Sequence, residues 1–321
     1  MAGCVLAAPR SLAAQSAGPR RIGYLSLVAV DLAQHKPWLA AFRAGLREHG
    51  HVEGDTLVIT ERYAAGQVAR LPALAAELVR LQVDVLVTAP AGAALAAKQA
   101  TNRVPLVFMG EPDPIGTGLV ASLARPGGNV TGLADAHADL VPKRLALLKQ
   151  LVPAVSRVGV LWNPANPSTA PQLQTVRAAA PPLGLTIVPV GVKGPGTADL
   201  DRAFATIERE RVGALFVLGD ATLGVQRGRI AERAIVHRLP TSGSHRGWTE
   251  GGLLMSYGTD FVALFRYGAV VVDRILKGAR PATLPVEEPT KFELAINART
   301  AKAIGLTVPE SLLQQADQIL E

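Results

Sequence analysis

The chain has 321 residues, 49% hydrophobic and 18% charged. This composition builds a core and excludes a disordered chain, and the length predicts two domains. No run of about 18 apolar residues occurs, which excludes a long membrane-spanning helix. The net charge of +7 comes from scattered basic residues, and only 4% of residues are aromatic; neither a nucleic-acid footprint nor a base-stacking platform is expected. A single cysteine leaves no internal disulfide, redox pair or thiolate zinc cluster.

Residues 1–20 contain no acidic residue and run from small apolar residues to Ala14-Gln15-Ser16, an A-x-A-like cleavage site. They are expected to be the end of a signal peptide that starts upstream, the plainer reading being a disordered Ala-rich tail. Met1-Ala2-Gly3-Cys4 also resembles the end of a lipoprotein signal, against the simpler reading of a cysteine in an apolar stretch. Apolar runs of strand length follow at 22–28, 56–61, 83–88 and 104–109, separated by helical patterns such as 37–49 and 69–82. In the latter, Leu71, Leu74, Leu78 and Leu81 fall at helical spacing.

The segment from Arg125 to Gly132, RPGGNVTG, breaks the pattern and predicts a lobe boundary. A Leu-rich helix opens a second series, with strands at 157–162, 185–190 and 213–218 and helices at 168–180, 199–211 and 226–237. A return strand within 251–258, a helix over 260–277 stopped by Gly278, and a strand from Phe292 to Ile296 complete the chain. Alternation of this kind argues for βαβ units, an α/β class and parallel sheets. The two series also match in order and at nearly constant offset. Arg21-Ile22-Gly23 pairs with Arg157-Val158-Gly159, Val83 to Val87 with Val212 to Phe216, and Arg103-Val104-Pro105 with Arg238-Leu239-Pro240. Two lobes of one Rossmann-like architecture are predicted.

Catalytic motifs are missing: there is no GxSxG elbow, HExxH or P-loop. Gly116-x-Gly118-x-x-Ala121 fits a dinucleotide turn in letters only, because residues 111–115 separate it from its strand. His49 and His51 lack a carboxylate or cysteine cluster in sequence. No cofactor and no metal is expected.

In open parallel sheets, ligands sit beyond the carboxyl ends of strands. Those ends carry Ser26, then Thr88, Ala89, Pro90 and Ala91, then Glu111-Pro112-Asp113 in the first series. The second series offers Trp162, Asn163 and Asn166, then Asp220 and Thr222, then Ser242. The ligand-binding set taken from these ends is Ser26, Thr88, Ala89, Pro90, Ala91, Asp113, Trp162, Asn163, Asn166, Asp220, Thr222 and Ser242, with Tyr257 from the return strand. Neutral donors, a few carboxylates and one indole, with no nucleophile beside a base, suit recognition of a small polar ligand better than bond breaking. The helix expected to begin near Ala91 offers unpaired backbone N–H groups to a ligand carboxylate.

The sequence resembles the ABC-transporter substrate-binding family that includes tryptophan- and phenylalanine-binding proteins. The resemblance runs through IGYLS, RAGLREHGHVEGDTLVI, LPALAAELVRLQVDVLVT, AALAAKQAT, DPIGTGLVASLARPGGNVTGL, RVGVLWNPANP, GGLLMSYG and PTKFELAINARTAKAIGLTVPESLL. It implies a type I periplasmic-binding-protein fold: two α/β lobes, three hinge crossings, a cleft that closes on ligand, and no catalysis. It implies lobe one at 21–133 plus 259–285 and lobe two at 134–258 plus 286–321. The implied function is the periplasmic solute-binding component of an ABC importer, delivering an amino acid or related carboxylate to an inner-membrane permease, with no nucleic acid and no required oligomer. The alternatives are a two-domain α/β enzyme or a ligand-sensing effector module using the same cleft. Two departures are visible: family members often read T-x-G-T-P-A-A where this chain reads Thr88-Ala89-Pro90-Ala91-Gly92-Ala93-Ala94, which removes one hydroxyl, and Ser242-Gly243-Ser244-His245-Arg246 is less typical of the family, which bears on ligand identity.

Overall fold

The structure is a computed structural model that describes residues 18–28, 35–89, 92–136, 139–166, 169–194 and 196–321. Residues 1–17, with Cys4 and the Ala14-Gln15-Ser16 site of the expected export signal, lie outside the described residues, as do Pro90 and Ala91. Two sheets organise the chain. The first contains β1 (Arg20–Ser26), β2 (Leu57–Tyr63), β3 (Val85–Thr88), β4 (Leu106–Glu111) and β5 (Val130–Ala134), in the order β2-β1-β3-β4-β5 with every pair parallel. The second contains β6 (Arg157–Trp162), β7 (Thr186–Gly191), β8 (Ala214–Val217), β9 (Thr241–Gly243), β10 (Met255–Thr259), β11 (Phe292–Asn297) and β12 (Gln318–Leu320). Its order is β12-β11-β10-β9-β8-β6-β7, and only β10–β11 is antiparallel among these strands. Strands buried on both faces are what parallel sheets covered by helices require: β3, β4 and β8 are buried along their whole length.

The two sheets repeat one another in atomic detail. The order β7-β6-β8-β9-β10 reproduces β2-β1-β3-β4-β5. Leu86 N–H donates to the carbonyl of Pro105, and Leu215 N–H to that of Pro240, both at 2.8 Å. Ala89 N–H donates to Leu25 and Leu218 N–H to Leu161. Gln82 and Arg211, just before equivalent strands, both hold φ near +51° to +52°. The glycines of the matched first strands have the same cause: a Cβ on Gly23 would meet Leu86 and Val83, and one on Gly159 would meet Leu215 and Val212.

Helices cover both faces. In the first sheet, α1 (His35–Glu48) brings Trp38, Leu39, Phe42 and Leu46 against Ile22, Tyr24 and Val85. The same cluster takes Phe261, Phe265, Ala269 and Val272 from α10 (Phe261–Leu276), although α10 follows β10 of the other sheet. Gly45 lets α1 and α10 meet, since a Cβ there would lie 2.6 Å from the carbonyl oxygen of Arg266. On the opposite face α2 (Leu71–Arg80) and α3 (Ala93–Ala100) bury Leu71, Leu78, Ala93 and Ala97. In the second sheet α4 (Val141–Leu151) and α5 (Thr169–Ala179) cover one face, and α6 (Thr197–Arg209) and α8 (Arg227–Val236) cover the other.

The glycine- and proline-rich stretch read as a breaker ends inside a strand. Val130–Ala134 forms β5, and Gly132 belongs there because a Cβ would sit 2.2 Å from the carbonyl oxygen of Phe108 on β4. The return strand is shorter than the segment suggested, with Gly251 and Gly252 closing the turn after α9 (Arg246–Glu250) before β10 begins at Met255. No helix among the described residues is long and apolar enough to cross a membrane.

Candidate functional site

In each sheet the strand order reverses beside its first strand, between β1 and β3 and between β6 and β8, and crevices form at such points. The carboxyl ends of both sheets face one cavity of about 540 Å³. From the first sheet it receives Leu27 after β1, Gly92 at the start of α3, and Gly110 with Glu111 at the end of β4. From the second it receives Asn163, Asn166, Asp220, Thr222, His245 and Trp248. Trp38 of α1 and Phe261 of α10 also line it, as does Asp135 just past β5.

A bulge decides which carboxylate at the end of β4 faces the cavity. The register with β5 shifts between Met109 and Glu111, and Gly110 takes φ +80° with its α-carbon against the ring of Phe261. Bulges re-aim side chains in this way. Glu111 lines the cavity, while Asp113 spends its carboxylate on the backbone N–H of Gly116 at 2.7 Å. Burial raises the Glu111 carboxyl to about 7; the N–H of Gly92 opposes that rise, and the negative charges of Asp113 and Asp135 add to it. The N–H of Gly92, the N-cap residue of α3, is thus turned to an internal carboxyl.

Asp135 accepts the hydroxyl hydrogen of Thr259 at 2.6 Å, tying the end of β5 to the end of β10. Burial raises its carboxyl, opposed by Thr259 and Arg144. Arg144 is itself buried, donates Nε to the carbonyl of Tyr257 at 2.7 Å, and is lowered to about 10 by that burial. On the far wall Asp220 is the N-cap of α7 (Ala221–Val225), accepting Leu223 N–H at 3.1 Å and the amide of Asn166 at 2.8 Å. Asn163 donates to Asp220 and to the Thr222 hydroxyl at 3.3 Å. These four residues are thus tied together by their own hydrogen bonds.

An aromatic group spans the two sheets' helices. Trp38 stacks on Phe261 with centroids 4.7 Å apart, and His245 meets Trp38 at 5.6 Å and Phe261 at 5.3 Å, both edge-on. Burial, then the charges of Arg144 and Arg227, lowers the His245 imidazole to about 3. Its Nδ1 accepts the N–H of Gly247, as a neutral ring can. Trp248 is 2% exposed, and its Nε1 has no hydrogen-bond partner among the described residues.

Of the residues picked from the sequence, Asn163, Asn166, Asp220 and Thr222 line the cavity together. Ser26 turns its hydroxyl onto Val28, Ala89 is buried, and Thr88 is buried with its hydroxyl unpartnered. Ser242 is buried with an unpartnered hydroxyl, Tyr257 lies beside Phe292, and Trp162 packs on the apolar cluster of Val158, Leu173 and Phe216. Trp38, Glu111, Asp135, His245 and Trp248 lay outside the ligand-binding set. Glu111 had its place at a strand end as a signal, Asp135 its place about 20 residues after the glycine motif, and His245 its place in the atypical stretch after Ser242. Among the described residues no group of three or more His, Cys, Asp or Glu could hold a metal ion.

A sequence model of ABC transporter substrate binding proteins matches residues 34–320. A tyrosine-binding protein of Clostridioides difficile is 25% identical over 266 residues, 83% of this chain and 75% of that protein. Among solved structures, a conserved domain protein from Vibrio cholerae superposes with TM-score 0.86 at 28% identity, over 94% of this chain and 99% of the other. An ABC domain in complex with L-Trp from Streptococcus pneumonia also superposes with TM-score 0.86, at 27% identity over 94% and 100% of the two chains. Its sheets, its cleft and this match across most of its length place the chain in the ABC transporter substrate-binding protein family, with a type I periplasmic-binding-protein fold.

Proposed function

We propose that the chain is the extracytoplasmic solute-binding component of an ABC importer, acting in the periplasm and handing an amino acid or related carboxylate to an inner-membrane permease. Lobe one comprises 21–133 with 259–285, lobe two comprises 134–258 with 286–321, and the ligand bridges them. The observation that carries this reading is the cavity of about 540 Å³ walled by the strand ends of both sheets. A ligand there touches both lobes at once and so favours the closed state, which is how differential contact shifts a conformational equilibrium. Asn163, Asn166, Asp220 and Thr222 form the lobe-two wall of the proposed site, with Trp38 and Trp248 as its aromatic surfaces. Two relatives support the ligand class, one described as tyrosine-binding and one complexed with L-Trp. The test is thermal unfolding against the twenty amino acids and their deaminated analogues. A ligand at about 100 times its Kd should stabilise the fold by about 2.7 kcal/mol. A flat response to the whole panel overturns the reading.

A further inference from the structure

Glu111 ends β4 at the cavity wall with 8% of its surface exposed. It accepts one backbone N–H, from Gly92, and the charges that act on it, Asp113 and Asp135, are both negative. The other acids nearby are answered from within the chain. Asp135 has Thr259 and the field of Arg144, Asp220 has Asn166 and the N–H of Leu223, and Asp113 has the N–H of Gly116. A buried carboxylate facing a cavity without a counter-charge is costly, and a ligand cation removes that cost. Trp248 also lines the cavity, and its indole N–H is buried without an acceptor among the described residues.

We propose that Glu111 is the counter-ion for a cationic nitrogen of the ligand, so that the receptor selects an amine-bearing molecule such as an α-amino acid over a plain carboxylate. This rests on the receptor reading above and makes it more specific. Loading is then linked to a proton. The empty carboxyl, raised to about 7 by burial, is about half protonated at neutral pH. An ammonium beside it favours the ionised form, so binding releases a proton and weakens on acidification. The groups that face Glu111 are consistent with this. Asp113 and Asp135 repel its charge, and Gly92 supplies one N–H. Lys98 on α3 gives its ammonium to the carbonyls of Gly118 and Leu119. Lys193, Asp220 and His245 line the cavity from the second sheet, and His245 is held neutral by burial.

Calorimetry on the full chain tests this with four probes: L-tryptophan, L-tyrosine, 2-phenylethylamine and 3-phenylpropionate. Titrations are run at pH 6 and pH 8, and at pH 7 in two buffers of different ionisation enthalpy. The amine-bearing probes should bind about tenfold tighter at pH 8 than at pH 6. They should also release a fraction of a proton near pH 7, and 3-phenylpropionate should do neither. Glu111→Gln should weaken amine binding about tenfold or more and flatten its pH dependence; should that variant not fold, the wild-type pH and buffer series decides alone. Equal amine affinity at both pH values without proton release overturns the inference and leaves the receptor reading standing. So does 3-phenylpropionate binding as tightly as the amino acids. Binding of 2-phenylethylamine alone supports the inference and removes the amino-acid reading. Silence from all four probes overturns both.

Discussion

Glu111 and His245 carry opposite pH liabilities for folding. Burial raises the Glu111 carboxyl to about 7, above its usual value of 4.5, so the folded chain binds the extra proton between those values. Its contribution is therefore fully present below about pH 4.5 and is lost as pH rises through 7. Glu111→Gln removes that loss: the variant should unfold later than the wild type at pH 8, by up to the order of 3 kcal/mol, with little difference at pH 5. Denaturant titration at the two pH values checks this. His245, lowered by burial to about 3, and His35, lowered by burial to about 4, work the other way. The unfolded chain takes up their protons first, so stability is full above about 6.5 and falls as pH drops toward 3. His245→Asn keeps an acceptor for the N–H of Gly247 and should flatten the acid arm of a melting-temperature profile. An unchanged acid arm would show that the imidazole is not the titrating group. The sequence marked Glu111 only as one of two acids at a strand end. The bulge at Gly110 chose between them, and a bulge is a property of the register between two strands.

Among the elements, the repeated strand–helix units were legible because both local signals agreed, with β-rich runs of strand length and apolar residues at helical spacing between them. Thus residues 157–162 were bounded as found for β6, while the helix read over 69–82 shortened to Leu71–Arg80. The short β12, three residues long, carries too little periodicity to show, and β9, equally short, showed only through its match to the segment before β4 and its strand-end Ser242. Glycine misled at β5, where it marks a close backbone approach instead of a turn. Alanine substitution separates these uses. Gly23→Ala and Gly159→Ala press on flexible side-chain ends at 2.9 and 3.0 Å. They should cost similar amounts, about 1 kcal/mol each, as equivalent positions of a repeat. Gly132→Ala meets backbone at 2.2 Å and should cost about 3 kcal/mol. Chemical denaturation of the three variants gives the ranking, and a Gly132→Ala cost no larger than the other two contradicts it.

Over the whole molecule, Trp38 comes from a helix on the first sheet and Trp248 from a helix beside the second, and His245 touches both rings. Their fluorescence should therefore report the relative position of the lobes. The change on adding L-tyrosine should shrink in Trp38→Phe and in Trp248→Phe and persist in Trp162→Phe, whose indole packs within the second lobe. Persistence in all three variants would place closure elsewhere. The sequence by itself determined the α/β class, the two repeated halves and the family resemblance, and it placed Asn163, Asn166, Asp220 and Thr222 beyond strand ends. These follow from periodicity, from repeated order and from the rule that ligands lie beyond strand ends, all of which are local or nearly so. Tertiary structure alone decided that Trp38 and His245 meet and which strand-end side chains turn into the cleft. Those outcomes depend on which distant elements share a core and on a one-residue shift between β4 and β5, and neither leaves a periodic trace in the chain.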